Sequence, residues 1–133
     1  MNHPKINIIL IDDNIAFCRA AQFYFEIYED INIKIYHDPL HFLNEYHSQA
    51  RGFIIMDLFM SSMDGLSLLE ELNLRNNKMI IFVISGHADP VTVEQIKALG
   101  ATDFLSKPFD IDILLSTIRE MDKNNKNTNQ NFK

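Results

Sequence analysis

Five short apolar runs constrain the fold of this chain more than any other feature of its sequence. Each run is four to six residues long, and most are near-continuous rather than alternating with polar residues. Such runs are typical of strands that are buried on both faces of a parallel sheet. They lie at Ile6–Ile11, Ile31–Tyr36, Phe53–Met56, Met79–Ile84 and Thr102–Leu105.

The segments between these runs have the spacing of helices. Apolar residues recur at steps of three and four after Asn14 and again near the end of the chain, which predicts helices that pack one face on a sheet. Asp38 and Asp89 each precede a proline, as N-cap residues often do. Gly100 is expected to end the helix that begins at Pro90. Five strand–helix alternations predict an α/β fold, a doubly wound three-layer sandwich around a parallel sheet.

Size and charge restrict the function. A chain of 133 residues, nearly half of them apolar, forms one domain, which we expect at 5–121. Its net charge of −6 argues against direct binding to nucleic acid or to an anionic membrane. The single cysteine, Cys18, excludes an intramolecular disulfide and favours the cytoplasm. The Asn-rich segment 122–133 is predicted to be a disordered tail or the remnant of a linker.

Aspartates follow the first and the third apolar run. In the flavodoxin-like strand order 2-1-3-4-5, these two strands are neighbours at the point where the order reverses, and such sheets form their sites there. Asp12, Asp13 and Asp57 are therefore expected to share one crevice. Their mutual repulsion requires a cation or a lysine. Mg²⁺ is the natural ion, because it combines carboxylate, water and phosphoryl oxygens in its coordination shell.

A hydroxyl and an ammonium group are expected at the same edge of the sheet. Ser85 directly follows the fourth apolar run, and Lys107 lies just after the fifth. Taken singly, each is more often an ordinary turn residue or surface charge. Together with the carboxylates and a metal ion, they would surround a phosphoryl group on three sides. The combination predicts a site for phosphoryl transfer.

Four stretches of the sequence together resemble the receiver domain of two-component response regulators. They are ILIDDN, IIMDLFMSSMDG, VISGHAD and DFLSKPF, and the resemblance extends over residues 5–121. The segment from Ser85 to Phe109 is especially similar to receivers of nitrogen-fixation and luminescence-type transcription regulators. The resemblance implies that the chain takes a phosphoryl group from a sensor histidine kinase or a histidine phosphotransfer protein. Phosphorylation would then change a surface that another protein recognises.

The resemblance also implies roles for the acidic residues. Asp57 would be the phosphoacceptor and would form an aspartyl phosphate. Asp13, Asp57 and the main-chain carbonyl of Phe59 would bind Mg²⁺, and Asp12 would assist through a water molecule. These roles make the shared crevice a magnesium-dependent phosphorylation site.

The remaining implied roles concern the response to phosphorylation. Ser85 and Lys107 would hold the phosphoryl oxygens. Ser85 would move toward the phosphoryl group, and the ring of Phe104 would move into the space that it leaves. The Lys107–Pro108 peptide bond would be cis. The face formed by Pro90–Met121 would contact the output partner or form a homodimer.

Two residues near Asp57 depart from the family pattern. Ser61 stands where the family commonly has proline, so a less rigid loop is expected after Asp57. Phe59 flanks the route of an attacking water, and we hypothesise that it shields the acyl phosphate from hydrolysis. Asp64, followed by Gly65, is instead expected to be the N-cap of the third helix.

The sequence leaves alternative functions open. The chain is either part of a longer DNA-binding regulator or a stand-alone phosphorelay intermediate without its own output. A haloacid-dehalogenase-like phosphatase also forms an aspartyl phosphate, but it needs a second aspartate where this chain has Phe59. A nucleotide- or flavin-binding module would need a phosphate-binding loop after the first strand, where Asp12 and Asp13 stand instead. We therefore expect a phosphoacceptor switch and not an enzyme. The only reactions that it would catalyse are its own phosphorylation and the hydrolysis of its own phosphoryl group.

Overall fold

The computed structural model describes the backbone of residues 5–131 and the side chains of residues 5–125. Strands and helices alternate along this part of the chain. The strands are β1 (Ile6–Ile11), β2 (Ile31–Tyr36), β3 (Phe53–Asp57), β4 (Ile80–Ser85) and β5 (Asp103–Ser106). The helices are α1 (Ile15–Glu26), α2 (Pro39–Glu45), α3 (Gly65–Leu74), α4 (Pro90–Ala98) and α5 (Ile111–Asn131).

The strands form one parallel sheet in the order β2-β1-β3-β4-β5, which confirms the predicted topology. The first two strands have the predicted bounds, whereas the other three each end one residue later. Asp57 is still paired with Ile84, and Ser85 is paired with Ser106. The sheet itself therefore fixes the backbone of Asp57 and Ser85.

The sheet separates two apolar clusters, so that its three central strands, β1, β3 and β4, are buried on both faces. One cluster joins alternate residues of the central strands, such as Ile11 and Ile54, to helices α2, α3 and α4. The other joins the intervening residues, such as Leu10 and Ile55, to helices α1 and α5. This arrangement is the predicted three-layer sandwich, and it explains why the apolar runs are near-continuous.

The residues that were predicted to begin or end helices do so in the structure. Asp38, Asp64 and Asp89 are N-caps, and each accepts a hydrogen bond from a backbone N–H in the first turn of its helix. Gly100 follows the C-cap of α4 with φ at 107°, and its N–H donates to the carbonyl of Lys97 at 3.1 Å. This conformation suits glycine, because other residues are strained at positive φ.

Helix α5 continues beyond Met121, where the sequence predicted the domain to end. Leu114, Leu115 and Ile118 bury its first turns in the core. The backbone is helical to Asn131, within the segment for which a disordered tail was predicted. Residues 132 and 133 of that tail lie outside the described residues, and its role as a tail or linker stays a prediction. No helix in the described part of the chain has the length and apolar character needed to cross a membrane.

Candidate functional site

Three aspartates converge at the carboxyl edge of the sheet. Asp12 and Asp13 follow β1 directly, and Asp57 is the last residue of β3. Each offers one carboxylate oxygen, and these oxygens all lie within 4.8 Å of one another. Asp12 is fully buried, Asp57 is half-buried and Asp13 is exposed. The cluster predicted from the sequence is thus present, and it is open to solvent on the side of Asp13.

Lys107 provides a positive charge inside this acidic cluster. Its Nζ atom lies 3.0 Å from Oδ2 of Asp12 and 3.8 Å from Oδ2 of Asp57. The ammonium also lies over the ring of Phe17, 4.3 Å from the centroid. The peptide bond to Pro108 is cis, as the resemblance implied. Three carboxylates and one ammonium leave two formal negative charges, which match a divalent cation.

The environment of Asp57 disfavours its ionised form. Burial raises the pKa of its carboxyl, and the neighbouring charge of Asp12 raises it further. The ammonium of Lys107 and the N–H of Phe59, which is 3.4 Å from Oδ1 of Asp57, act in the opposite direction. A cation in the cluster would favour the ionised carboxylate, which is the nucleophilic form.

Ser85 is present at the site, but its hydroxyl is engaged within its own loop. The side chain is 1 % exposed. Its Oγ–H donates to the carbonyl of His87 at 3.1 Å, and its oxygen accepts the N–H of His87 at 3.2 Å. A phosphoryl group would have to replace these contacts to reach the hydroxyl. The sequence predicted the position of Ser85 but not this competing pair of hydrogen bonds.

The two aromatic residues of the predicted site lie in different environments. Phe104 is half-buried and packs against the apolar cluster beneath α2, α3 and α4. Phe59 is 60 % exposed beside the site. Its ring lines a cavity of about 330 Å³ whose other walls are His87, Ala88, Asp89 and Thr92. Phe59 therefore belongs to the surface between the loop after β3 and the start of α4 rather than to the core.

The loop after β3 has contacts that the sequence did not predict. The N–H and the hydroxyl of Ser61 both donate to Oδ2 of Asp13, at 2.9 and 3.1 Å. The hydroxyl of Ser62 donates to Oδ1 of Asp38 at 2.8 Å. The expected less rigid loop is thus restrained at two points. The two adjacent serines are visible in the sequence as possible hydrogen-bond donors. Their acceptors, Asp13 and Asp38, could not be predicted because they are distant along the chain.

The fold and the site together define a class of protein: an α/β domain with one parallel sheet and an acidic pocket at the carboxyl edge of that sheet. The chain belongs to the response regulator receiver domain family, whose model matches residues 8–119. The resemblance noted in the sequence is therefore confirmed.

Curated relatives are similar to this chain over most of its length. The transcriptional regulatory protein FixJ of Azorhizobium caulinodans is 37 % identical over 116 residues, which are 86 % of this chain and 54 % of the relative. The response regulator protein TmoT of Ectopseudomonas mendocina is 35 % identical over 120 residues, which are 90 % of this chain and 54 % of the relative. The chain thus spans about half the length of these two relatives.

Solved structures agree with the fold. A FixJ-N crystal structure has a TM-score of 0.75 at 25 % identity and covers 90 % of this chain and 93 % of its own. A response regulator protein from Burkholderia pseudomallei with a phosphorylated aspartic acid, calcium ion and citrate has a TM-score of 0.74 at 26 % identity. That comparison covers 86 % of this chain and 66 % of the other. Both are receiver-like in architecture, and the second contains a phosphorylated aspartic acid.

Proposed function

We propose that this receiver domain is switched by phosphorylation of Asp57, with Mg²⁺ in the acidic cluster. The donor is a sensor histidine kinase or a histidine phosphotransfer protein. One observation carries the proposal: the carboxylates of Asp12, Asp13 and Asp57 converge around Lys107 at one sheet edge. The phosphorylated aspartate and the calcium ion of the Burkholderia structure support the same chemistry.

The donor set fits a hard divalent cation. All three side-chain donors are carboxylates, and the exposed position of Asp13 leaves room for water ligands. The thiol of Cys18 donates to the main-chain carbonyl of Asp12, and burial raises its pKa to about 11, so it is no thiolate ligand. Asp13, Asp57 and the carbonyl of Phe59 would hold Mg²⁺, with Asp12 acting through water. The ion would neutralise charge and orient phosphoryl oxygens.

The remaining chemistry belongs to the side chains of this chain. An oxygen of Asp57 forms the new bond to phosphorus, while the bond from phosphorus to the donor imidazole breaks and its electron pair returns to the nitrogen. Lys107, 3.8 Å from Oδ2 of Asp57, is placed to bind a transferred phosphoryl oxygen. Asp57 lies at the carboxyl edge of the sheet and is partly exposed, so a donor protein has access to it.

The switch connects the site to the surface through neighbouring strands. Ser85 exchanges its contacts with His87 for a phosphoryl oxygen, and Phe104 moves in response. The two residues lie on the paired strands β4 and β5. The face from Pro90 to Met121 then contacts an output partner or a second copy, and it carries exposed apolar side chains at Val91 and Ile113. We place this activity in the cytoplasm, with no direct contact to nucleic acid.

The function of the whole protein is a separate part of the proposal. Two of its relatives, FixJ and TmoT, are about twice as long as the matched region, and FixJ is named as a transcriptional regulatory protein. Control of transcription through a further domain is therefore the leading role, and relay to another protein is the alternative. The family assignment favours both over the phosphatase alternative, which also needs an aspartate in place of Phe59.

Intact-mass measurement after incubation with a small phosphoryl donor and Mg²⁺ tests the proposal. The parent and Asp64→Ala, which changes an N-cap in the same loop, should each gain one phosphoryl group. Asp57→Ala, or parent protein with the metal chelated, should gain none. No gain in the parent would overturn the proposed function.

A further inference from the structure

We infer that Ser61 is a positioning residue for the divalent cation, acting through Asp13. The inference rests on the proposed function, because it concerns the same metal site. The N–H and Oγ–H of Ser61 both donate to one oxygen of Asp13, Oδ2, at 2.9 and 3.1 Å. The two residues are 48 positions apart in the sequence, so this contact joins the loop after β3 to the end of β1. With Oδ2 occupied by two donors, Oδ1 is the oxygen that remains for a cation.

Asp13 needs such support more than its neighbours do. Asp12 is buried against Lys107, and the backbone of Asp57 is fixed by the sheet, whereas Asp13 is exposed and follows the end of a strand. The charges of Asp12 and Asp57 repel its carboxylate toward solvent. Two hydrogen bonds from Ser61 hold the carboxylate in the cluster against that repulsion. They also orient it before the cation arrives.

Groups that orient a metal ligand contribute strongly to metal affinity. Loss of such a group typically lowers the affinity by about 10–100-fold. Proline, the common residue of the family at this position, has neither an N–H nor a hydroxyl to donate. The orienting contact is therefore a property of this chain that the family resemblance does not supply.

Ser62 provides an internal control for the contact. Its hydroxyl also restrains the loop, but it donates to Asp38, which is the N-cap of α2 and lies outside the acidic cluster. A general effect of loop flexibility on metal binding would appear in variants of either serine. An effect through Asp13 would appear only in variants of Ser61.

Binding of Mn²⁺ to the unphosphorylated protein tests the inference. Mn²⁺ takes carboxylate, carbonyl and water ligands as Mg²⁺ does, and the paramagnetic resonance of the free ion reports its concentration. We expect Ser61→Pro to weaken binding by about tenfold or more and Ser61→Ala to weaken it less, since alanine retains the N–H. Ser61→Thr, which keeps both donors, and Ser62→Ala should bind as the parent does. Circular dichroism checks that each variant is folded.

The outcome distinguishes this inference from the proposed function. If Asp13→Asn lowers Mn²⁺ affinity while Ser61→Pro and Ser61→Ala both bind like the parent, Ser61 has no positioning role. A parent that binds Mn²⁺ with the expected order of variants, yet gains no phosphoryl group, would retain the inference and overturn only the proposed function.

Discussion

The ammonium of Lys107 lies closer to Asp12 than to Asp57, at 3.0 Å against 3.8 Å. Asp12 is fully buried, and a buried carboxylate needs a partner of opposite charge. Lys107 therefore stabilises the fold in addition to its proposed role at the phosphoryl group. The same lysine serves as a counter-ion before any cation is bound.

Lys107→Met is expected to destabilise the metal-free protein by about 3 kcal/mol, because it leaves the charge of Asp12 buried and unpaired. Mg²⁺ should recover part of that loss, since the cation replaces the missing charge. Urea unfolding with and without Mg²⁺ measures both effects. Lys97→Met, which removes a half-exposed pair with Asp103, is the control and should cost about 0.5 kcal/mol or less. Equal costs for the two variants would contradict the structural role of Lys107.

Asp57→Asn is expected to raise the melting temperature of the metal-free protein at pH 7. Burial and the charge of Asp12 raise the pKa of Asp57 in the folded state. Between the ordinary and the raised pKa, the unfolded state therefore binds fewer protons than the folded state. The parent therefore loses stability from the ordinary aspartate pKa up to the raised one. The higher melting temperature of Asp57→Asn should be fully developed above the raised pKa and should vanish below the ordinary aspartate pKa. Calorimetry across this pH range tests the prediction, and a less stable variant at neutral pH would refute it.

Gly65→Ala is expected to destabilise the fold by about 1–3 kcal/mol, through overpacking. A Cβ at Gly65 would lie 2.8 Å from Cα of Leu58, the residue after Asp57, so the backbone beside the site must shift. Gly86→Ala is the control, because its Cβ would meet no atom within 4 Å. Chemical denaturation of the two variants should separate them, and similar midpoints would show that the contact is readily relieved.

Phe59→Asn is expected to shorten the lifetime of the acyl phosphate by several-fold. An amide in place of the ring would admit and orient water beside Asp57, and positioned polar groups accelerate such steps. Loss of phosphate, followed by intact mass after removal of the donor, gives the rate. Phe23→Asn removes an exposed phenylalanine from α1 and should leave the rate unchanged. If Phe59→Asn also leaves it unchanged, the shielding hypothesis is wrong.

Local sequence signals were sufficient for the architecture and for the carboxylate cluster. Apolar runs determined the strands, and because neighbouring parallel strands end at one edge, the aspartates at the ends of β1 and β3 had to meet. The contacts of Ser61 and Ser85 were not predictable in this way. They depend on how loops from different strands fold over that edge, and a serine hydroxyl bonds as readily to its own backbone as to a distant carboxylate.

Chemical trapping at Asp57 tests the central claim most directly. Borohydride reduces an acyl phosphate of aspartate to homoserine, which peptide mass spectrometry locates. Trypsin separates the candidates, since Asp57 lies in Gly52–Arg75 and both other cluster aspartates lie in Ile6–Arg19. After reaction with a small phosphoryl donor and Mg²⁺, we predict homoserine at position 57. Homoserine in Ile6–Arg19 or at position 64, or none in either peptide, would contradict the assignment of Asp57 as the phosphoacceptor.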